Sequence, residues 1–375
     1  MSLRVLITNH ALAARAGTEL YVRDLAVELL RRGHTPIAYS TRLGEVEDEL
    51  RRATIPVVDD LASLAVVPDI IHGHHHVETM TALLHFGGVP AVYFCHGWLA
   101  WEEAPPHFPR ILRYVAVDDT CHDRLLYEQG IPERQIRVIR NFVNLERFKT
   151  RSALPQKPKR ALLFSNGVSE ANCLSVIRRA CEQAGITLDV IGLGSGNPSI
   201  QPESVLGRYD VVFAKGRSAF ESLAVGAAVI LCDIEGVGPM VTTNELASLQ
   251  RLNFGIRTLR QKATVDVIAR ELARYDPQDA AEVRRRVRTT SGLEGAVDQI
   301  VDLYEEVLTE HRTTEGNGNQ SEAEFTAAYL RGLSVRINQQ HQVIYRSASY
   351  RLGNFLVRTP LLRGVAKRAW KGWLQ

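Results

Sequence analysis

The chain has 375 residues, of which 45% are hydrophobic and 23% are charged, and its formal net charge is +3. These values are typical of a soluble globular protein and leave room for two domains with their own hydrophobic cores. The sequence contains no run of 18 or more apolar residues and no signal-peptide pattern at its start. We therefore expect a cytoplasmic protein and no membrane-spanning helix.

The five cysteines are odd in number and none forms a CxxC pair, so neither structural disulfides nor a cysteine-based metal site is expected. The basic charge is concentrated at the end of the chain. Residues 334–375 carry eight Lys or Arg and no Asp or Glu, whereas residues 1–333 hold 37 basic and 42 acidic residues. The body has no basic stripe, and we expect no nucleic-acid partner.

The chain opens with a predicted strand, RVLIT (4–8), followed by a helix that Thr18 is expected to cap and Gly33 to end. Further apolar segments typical of strands alternate with helical segments; they are TPIAYS, IPVV, DIIH, PAVYFC, RYVAV and IRVI. The alternation predicts a parallel sheet covered on both faces by helices. We expect this Rossmann-like domain to span residues 1–151.

A segment rich in proline and cations, SALPQKPKR (152–160), predicts a linker, after which strands and helices alternate again. A second Rossmann-like domain is expected over residues 152–312. The segment RTTEGNGNQ (312–320) predicts a flexible connector, and residues 313–375 are expected to form a linker and a basic amphipathic helical tail. The predicted fold class is α/β, with two doubly wound parallel sheets that face each other across a cleft.

Four histidines are clustered in DIIHGHHHVET (69–79). His72 ends a predicted strand, and His74, His75 and His76 follow in the next loop, where an open parallel sheet binds ligands. Imidazoles there could bind a metal, contact hydroxyls of an acceptor, or make only local hydrogen bonds. Because adjacent side chains splay apart and no second set of ligands lies nearby in sequence, we expect no metal. The other two interpretations stay open.

Two segments offer backbone N–H groups to a phosphate. Gly17 and Thr18 stand at the start of the first helix, although a Gly-Thr pair there is also simply a good cap. In IEGVGPMVTTN (234–244), Gly236 and Gly238 would let the backbone approach a phosphate closely. The loop after the first strand lacks GxGxxG, which argues against a nicotinamide or flavin enzyme, and no cofactor is expected.

Single polar residues follow other predicted strands. His96 comes directly after the strand in VYFCHGW, where it is either structural or part of a site. In YDVVFAKGRSAFES, Lys215, Gly216 and Arg217 follow a strand, Ser218 is expected to cap the next helix, and Glu221 is expected in its first turn. Two cations at a helix N-terminus suit a diphosphate, and the carboxylate suits ribose hydroxyls. The alternative is an ordinary capped helix.

These motifs resemble those of the large retaining family four of GT-B nucleotide-sugar glycosyltransferases. Gly17-Thr18-Glu19 is similar to the family's GGxE, and DIIHGHH and CHG also match. VIRNFVNLERF (138–148) resembles the family's segment at the domain junction, and SAFESLAVGAAVIL (218–231) resembles E-A-x-A-x-G-x-P-V-I. The resemblance covers roughly residues 3–310 and implies an acceptor-side first domain and a donor-nucleotide second domain.

By resemblance, Gly17 would approach the donor diphosphate, His96 would contact the transferred sugar as a catalytic residue, and Glu221 would bind the ribose. The first glutamate of the family's pair would fall on Phe213 and is missing. The family's Arg and Lys after the first strand of the second domain are also absent, and that loop offers Asn166 instead. We therefore expect Lys215 and Arg217 to replace the usual phosphate contacts; the alternative is loss of catalysis.

The expected function is transfer of a sugar from a nucleotide-sugar donor, with UDP as the default, to an acceptor hydroxyl, with retention and without a metal. The acceptor would be a glycan, a lipid-linked molecule or a small molecule, and His74 and His75 would lie on its side. The alternatives are a non-catalytic sugar-nucleotide-binding or scaffold protein, a GT-B epimerase, or another Rossmann enzyme. Residues 334–375, with Trp370 and Trp373 beside clustered cations, predict peripheral contact with an anionic membrane, or packing on the protein itself.

Overall fold

A computed structural model of the protein describes residues 2–197, 201–314 and 322–346. It confirms the predicted α/β class, with one sheet of seven strands and another of five. Both sheets lie in one compact body, and the last described helix belongs to a second unit. The predicted domain boundaries (residues 1–151, 152–312 and 313–375) stay predictions.

The first sheet has strands in the order β3-β2-β1-β4-β5-β6-β7, and every neighbouring pair is parallel. The strand order reverses between β1 and β4, which is where a doubly wound sheet opens a crevice for a ligand. The strands are Arg4–Thr8 (β1), Thr35–Tyr39 (β2), Val57–Val58 (β3), Ile70–His74 (β4), Ala91–Cys95 (β5), Ile111–Ala116 (β6) and Ile136–Val138 (β7).

Helices connect these strands and cover the sheet. They are Gly17–Arg31 (α1), Glu45–Arg52 (α2), His76–His85 (α3) and Asp119–Asp123 (α4), which continues as a π-helical turn over Arg124–Glu128. In α1, Tyr21, Val22, Leu25 and Leu29 recur at helical spacing and are buried. Burying each such side chain contributes about 1.5–3 kcal/mol, which holds α1 on the sheet.

The second sheet has strands in the order β12-β11-β10-β8-β9, with the edge strand β12 antiparallel to β11. Its strands are Arg160–Phe164 (β8), Thr187–Ile191 (β9), Val211–Ala214 (β10), Ala228–Asp233 (β11) and Gly236–Met240 (β12). Its helices are Leu174–Gln183 (α5), Pro202–Val205 (α6), Gly216–Val225 (α7), Leu246–Arg251 (α8), Val265–Leu272 (α9) and Pro277–Thr290 (α10). The central strands are buried on both faces, as a parallel sheet between two layers of helices requires.

The chain returns to the first sheet through Leu293–Thr314 (α11), which packs against α1, β5 and β6. Val143, in the segment that leads from the first sheet to the second, forms a parallel bridge with Gly292, in the segment that leads back. Buried Tyr304 lies on the inner side of α11, and Arg113 of β6 pairs with Glu306 at 2.7 Å. The first sheet is therefore completed by residues near the end of this body.

The second unit includes one long helix, Glu322–Arg346 (α12), whose described side chains are mostly exposed. Among the described helices, none is long and apolar enough to cross a membrane. The helix predicted after Pro360, with its tryptophans and cations, lies outside the described residues.

Candidate active site

A cavity of about 300 Å³ lies where the segments that follow β1, β5 and β10 meet. Parallel sheets bind ligands beyond the carboxyl ends of their strands, so the cavity has the location expected of a site. Four of the predicted site residues are brought together there, from both halves of the body. The lining consists of Gly17, Thr18, Tyr21, His96, Glu103, Asn141, Phe142, Arg217 and Asn253.

A larger hollow, of about 560 Å³, lies elsewhere, beside Arg4 and Asp69. Arg4 begins β1 and Asp69 immediately precedes β4, so this hollow is at the amino ends of the strands. Ligands of open parallel sheets bind at the opposite edge. We therefore place the candidate site at the smaller cavity.

The first turn of α1 borders the cavity with no side-chain cap. The helix begins at Gly17, and its N-cap residue, Ala16, makes no side-chain cap hydrogen bond. The expectation that Thr18 caps the helix is wrong, because Thr18 lies inside the first turn and its hydroxyl donates to Glu19 Oε2 at 3.0 Å. Uncapped N–H groups at a helix start attract an anion.

Helix α7 also begins beside the cavity without a side-chain cap, although the N–H of Gly216 donates to the backbone oxygen of Phe254 at 3.0 Å. Lys215 is its N-cap and gives no side-chain cap. Ser218 was expected to cap it, but its hydroxyl instead donates to the backbone oxygen of Lys215 at 2.9 Å. Glu221 was expected in the first turn, yet it is the sixth residue of a helix that begins at Gly216. The starts of two helices, one from each half, therefore border one cavity.

Lys215 lies outside the lining of the cavity. Its ammonium contacts Asp233 Oδ2 at 2.6 Å and Glu235 Oε2 at 3.0 Å. Burial opposes the charge, but the two carboxylates raise the pKa of Lys215. Two acidic partners already neutralise this cation, so the structure does not place it as a free phosphate contact.

Arg217 borders the cavity and is held by two carboxylates. Its Nε donates to Glu221 Oε1 at 2.8 Å, and its NH2 donates to Asp24 Oδ2 of α1. Asp24 also accepts a hydrogen bond from Arg23 NH2 at 2.6 Å. The two helices that border the cavity are thus joined by a buried ionic network.

The charges of this network follow from burial and its neighbours. Burial opposes ionisation of Asp24, but Arg217 and Arg23 hold its pKa below the usual value. For Glu221, burial raises the pKa in spite of the contact with Arg217. Arg217 keeps a raised pKa because both carboxylates outweigh its own burial. The guanidinium is therefore a fixed positive charge at the edge of the cavity.

Five other predicted donor contacts do not line the cavity: Gly216, Glu221, Asn166, Gly236 and Gly238. Asn166 lies in the loop after β8, where its backbone oxygen accepts from Gly194 at 2.9 Å. Gly236 and Gly238 lie in strand β12. A Cβ on Gly238 would come 2.6 Å from the backbone oxygen of Thr258, so this glycine is required for packing against a neighbouring chain segment. The sequence pattern did not distinguish that close approach from one to a phosphate.

A row of aromatic rings runs from α11 to the cavity. Tyr304 OH and His72 Nδ1 are 2.5 Å apart, the rings of His72 and His74 are 4.6 Å apart, and His74 Nδ1 lies 2.7 Å from His96 Nε2. His74 was expected in a loop, but β4 continues through it and both His72 and His74 are fully buried. They lie beneath the cavity and support His96.

His75 and His76 complete the cluster without joining that row. His75 has φ of 60°, a conformation that costs about 1–3 kcal/mol for a residue other than glycine. Its Nδ1 accepts from the backbone N–H of His10 at 3.1 Å, and the ring of His76 lies 4.5 Å from that of Trp101. Local hydrogen bonds thus account for His75, and its contact with an acceptor stays a prediction.

Burial keeps these imidazoles neutral. It lowers the pKa of His72 and His74 well below the usual value, and that of His96 to about 3. At neutral pH His96 is therefore an uncharged group, suited to a hydrogen bond with a sugar hydroxyl. Within the described part of the chain, no three His, Cys, Asp or Glu side chains are arranged to hold a metal.

Sequence reasoning missed several residues of the cavity. Asn141 Nδ2 donates to Asn253 Oδ1 at 3.1 Å, which joins the two halves, and Phe142 packs on Tyr21 with ring centres 4.7 Å apart. Asn141 and Phe142 belong to the motif VIRNFVNLERF, so the resemblance had marked their segment. Glu103 carried no such signal, because it follows β5 by eight residues in a loop with no recognisable pattern.

A sequence model of Glycosyltransferase Family 4 matches residues 15–147. The match includes Gly17, His96 and most of the segment VIRNFVNLERF, which are the positions that carried the resemblance in the first half of the chain. No curated protein sequence matches the chain.

Solved structures share the fold. A glycosyltransferase from Rickettsia africae is 16% identical with a TM-score of 0.56, covering 82% of this chain and 99% of that chain. HepE from Anabaena, in complex with UDP and glucose, is 15% identical with a TM-score of 0.57. The match covers 80% of this chain and 99% of that chain. A trehalose 6-phosphate synthase from Burkholderia multivorans is 10% identical with a TM-score of 0.51. The match covers 83% of this chain and 100% of that chain. The predicted GT-B fold is confirmed, and the resemblance to family four is confirmed over residues 15–147.

Proposed function

We propose that this divergent, family-four-like chain of the GT-B class transfers a sugar from a nucleotide-sugar donor to an acceptor hydroxyl. The observation that carries the proposal is the meeting of two uncapped helix starts, α1 and α7, with Arg217 at one cavity. A diphosphate has the charge and size to accept hydrogen bonds from both helices at once. The donor diphosphate accordingly lies between Gly17 and Arg217.

Arg217 contributes a charge that is already oriented. Glu221 and Asp24 hold its Nε and NH2, and NH1 makes no hydrogen bond with a described residue. A fixed cation stabilises the negative charge that develops on the leaving diphosphate without rearranging during the reaction. In this proposal Glu221 orients Arg217, and its expected contact with the ribose is a second role for the same carboxylate.

His96 takes the sugar side of the site. It is neutral, it follows β5, and the hydrogen bond between His96 Nε2 and His74 Nδ1 fixes its ring. A neutral imidazole can exchange hydrogen bonds with sugar hydroxyls and adds no charge to the diphosphate. The phosphate interactions come from helix starts and a guanidinium, so the proposed reaction uses no metal; retention follows from the resemblance to family four.

The donor base is assigned by likeness to a protein of the same fold. HepE, whose structure holds UDP and glucose, supports a UDP-sugar as the first donor to test. The acceptor is a glycan, a lipid-linked molecule or a small molecule that carries a free hydroxyl. We place the enzyme in the cytoplasm, with residues 334–375 in peripheral contact with an anionic membrane surface.

A second candidate is a protein that binds sugar nucleotides without transferring them. It is favoured by the ion pairs that occupy Lys215, and by Phe213, which stands at the position of the family's first glutamate and is fully buried in β10. Neither residue can hold a phosphate or a ribose as it stands. Binding without turnover would support this candidate.

The deciding experiment has two stages. Thermal unfolding is first measured with UDP-, GDP-, ADP- and dTDP-sugars, since a ligand of the native state raises its stability. The preferred donor is then incubated with the protein, and free nucleoside diphosphate is measured with and without acceptor hydroxyls. A thermal shift with release of the diphosphate supports transfer, a shift without release supports the binding protein, and no shift with any donor contradicts both.

A further inference from the structure

Glu103 brings a carboxylate to the cavity that the donor contacts do not use. It ends a short helical turn, Trp101–Glu103, in the segment that follows β5. It lines the cavity together with His96 and Arg217. Its Oε2 is shielded from solvent and has no hydrogen-bond partner among the described residues. Burying a carboxylate oxygen without a hydrogen-bond partner costs free energy. A ligand that donates a hydrogen bond to the carboxylate would offset that cost.

The loop around Glu103 is built to hold this carboxylate. The backbone of His96 and Gly97 lies close enough to the carboxylate to oppose the rise of its pKa. A Cβ on residue 97 would lie 2.8 Å from Oε2, so a larger residue there would displace the carboxylate from its place over the backbone. Arg124 fixes the same loop, donating to the backbone oxygens of Gly97 at 2.5 Å and Ala100 at 3.1 Å.

The other acidic or basic groups of the cavity are already committed. His96 hydrogen-bonds His74 through Nε2, and burial lowers its pKa to about 3, which makes it a weak base. Arg217 is a fixed cation. Burial raises the pKa of the Tyr21 hydroxyl far above neutrality. Among the described residues that line the cavity, Glu103 is the group suited to accept a proton.

We propose that Glu103 binds the acceptor hydroxyl and takes its proton as the acceptor oxygen attacks the anomeric carbon of the donor sugar. This role rests on the proposed function. The acceptor O–H bond breaks and its proton goes to the Glu103 carboxylate, while a bond forms between the acceptor oxygen and the anomeric carbon. The bond from that carbon to the diphosphate breaks, and the diphosphate leaves with the electron pair.

Several groups set the proton affinity of Glu103. Burial raises its pKa to about 7, Arg124 and the backbone of His96 and Gly97 oppose that rise, and Glu102 adds to it. Tyr93 of β5 lies close enough to Glu103 to interact with it electrostatically, and Arg217 lines the same cavity. A general base works best with a pKa near the operating pH, so Glu103 is matched to neutral conditions.

The role predicts a pH profile that the family's usual path does not. If the departing diphosphate takes the acceptor proton on the same face, no side chain of the protein need be deprotonated. If Glu103 takes it, kcat/KM rises as the pH passes through about 7, because only the carboxylate accepts a proton.

The test compares Glu103→Gln with Glu102→Gln, a matched control in the same turn. Glutamine keeps the shape of the side chain but cannot accept the proton as a carboxylate does. Release of nucleoside diphosphate from UDP-glucose is followed from pH 5.5 to 8.5, with water and with octyl glucoside as acceptor hydroxyls. Binding of UDP and the unfolding midpoint are measured for each protein, with Glu103→Ala plus added formate as a second variant.

The expected result is a loss of about 100-fold or more in kcat/KM for Glu103→Gln, a flat pH profile, unchanged UDP affinity and recovery of Glu103→Ala by formate. Glu102→Gln should keep the wild-type rate at its plateau, with the rise of kcat/KM moved to lower pH, because Glu102 adds to the rise of the Glu103 pKa. Equal rates and profiles for wild type and Glu103→Gln would overturn the role of Glu103 and leave the proposed function standing. Wild-type protein that neither binds nor turns over any of the four donors would overturn both.

Discussion

Asp24 in α1 and Arg217 in α7 form a buried ion pair between the helices that follow the first strand of one sheet and the third strand of the other. The cation assigned to the donor diphosphate is thus held by a carboxylate of the opposite half. The pair links the geometry of the site to the docking of the two sheets. It also makes each partner costly to remove, because the other is left charged and buried.

We predict that Asp24→Asn lowers the free energy of unfolding by about 3–5 kcal/mol, the usual cost of removing one partner of a buried pair. Asp69→Asn is the matched control, since its pair with Arg4 at 3.0 Å is partly exposed. That change should cost about 1 kcal/mol or less. Urea unfolding at pH 7.5 measures both changes. Equal losses of unfolding free energy would show that the Asp24 pair stabilises the fold no more than the partly exposed Arg4–Asp69 pair.

Arg217→Ala should weaken UDP binding roughly tenfold or more, because a charge-assisted contact is worth about 1.5–3 kcal/mol. Lys215→Ala should change the affinity little, since Asp233 and Glu235 already occupy that ammonium outside the cavity. The sequence alone predicted the same loss for both cations. Calorimetric titration with UDP separates the two outcomes, and a large loss in Lys215→Ala alone would reverse the assignment.

His96→Ala should lower turnover strongly and leave UDP affinity close to the wild-type value, because the imidazole is assigned to the sugar. Activity should also survive EDTA. Single-turnover rates and UDP titrations are measured side by side, with exposed His85→Ala as the control. Activity that disappears with EDTA and returns with a divalent ion would contradict the metal-free proposal and reopen the histidine cluster as a metal site.

The fold should be sensitive to acid. Burial lowers the pKa of His72 and His74 well below 6.5, and those of His75 and His96 to about 4 and about 3. The unfolded chain, whose histidines titrate near pH 6.5, then binds protons that the folded chain refuses. Stability is therefore complete above pH 6.5 and is lost as the pH falls, by about 1.4 kcal/mol per pH unit for each imidazole.

Urea unfolding at pH 7.5, 6 and 5 measures this loss. Replacing His72 by glutamine should reduce the slope by about one proton, whereas replacing exposed His85 should leave it unchanged. A wild-type unfolding free energy that stays constant between pH 7.5 and 5 would mean that these imidazoles are not neutral in the folded state.

Removal of residues 347–375, which leaves α12 complete, should abolish sedimentation with anionic vesicles while UDP binding persists. Each cation near such a surface contributes about 1 kcal/mol, and the removed segment carries six of the eight in the tail. Neutral vesicles are the control. If the full-length protein does not sediment with anionic vesicles at low salt, or if the truncated form unfolds, the tail packs on the protein and the membrane contact is wrong.

Sequence patterns located the strands well because buried parallel strands are short, nearly continuous apolar segments. They failed where the same pattern has two physical causes. Polar histidines after an apolar segment predict a loop, yet β4 runs through His74, and the rings of Tyr21 and His96 contact its ring. Glycines after a strand predict a phosphate contact, although Gly238 instead allows the backbone at Thr258 to come close.

Parts of the candidate site depend on contacts between distant segments, which no local pattern encodes. Arg217 was identified as a cation at a helix start, but its pairing with Asp24 joins residues 193 positions apart. Glu103 is a functional candidate only because its carboxylate lies over Gly97 beside His96. The resemblance marked positions that carry motifs, and three-dimensional packing was needed to find the rest.

The packing of α11 on α1, β5 and β6 has a consequence for synthesis on the ribosome. All strands of the first sheet precede residue 139, but the helix that covers part of it begins only at Leu293. Until that helix leaves the exit tunnel, the nascent first half exposes the apolar surface that later meets Val297, Ile300 and Tyr304. The half made first is therefore the half finished last, and a nascent chain stalled near residue 290 would be the species most in need of a chaperone.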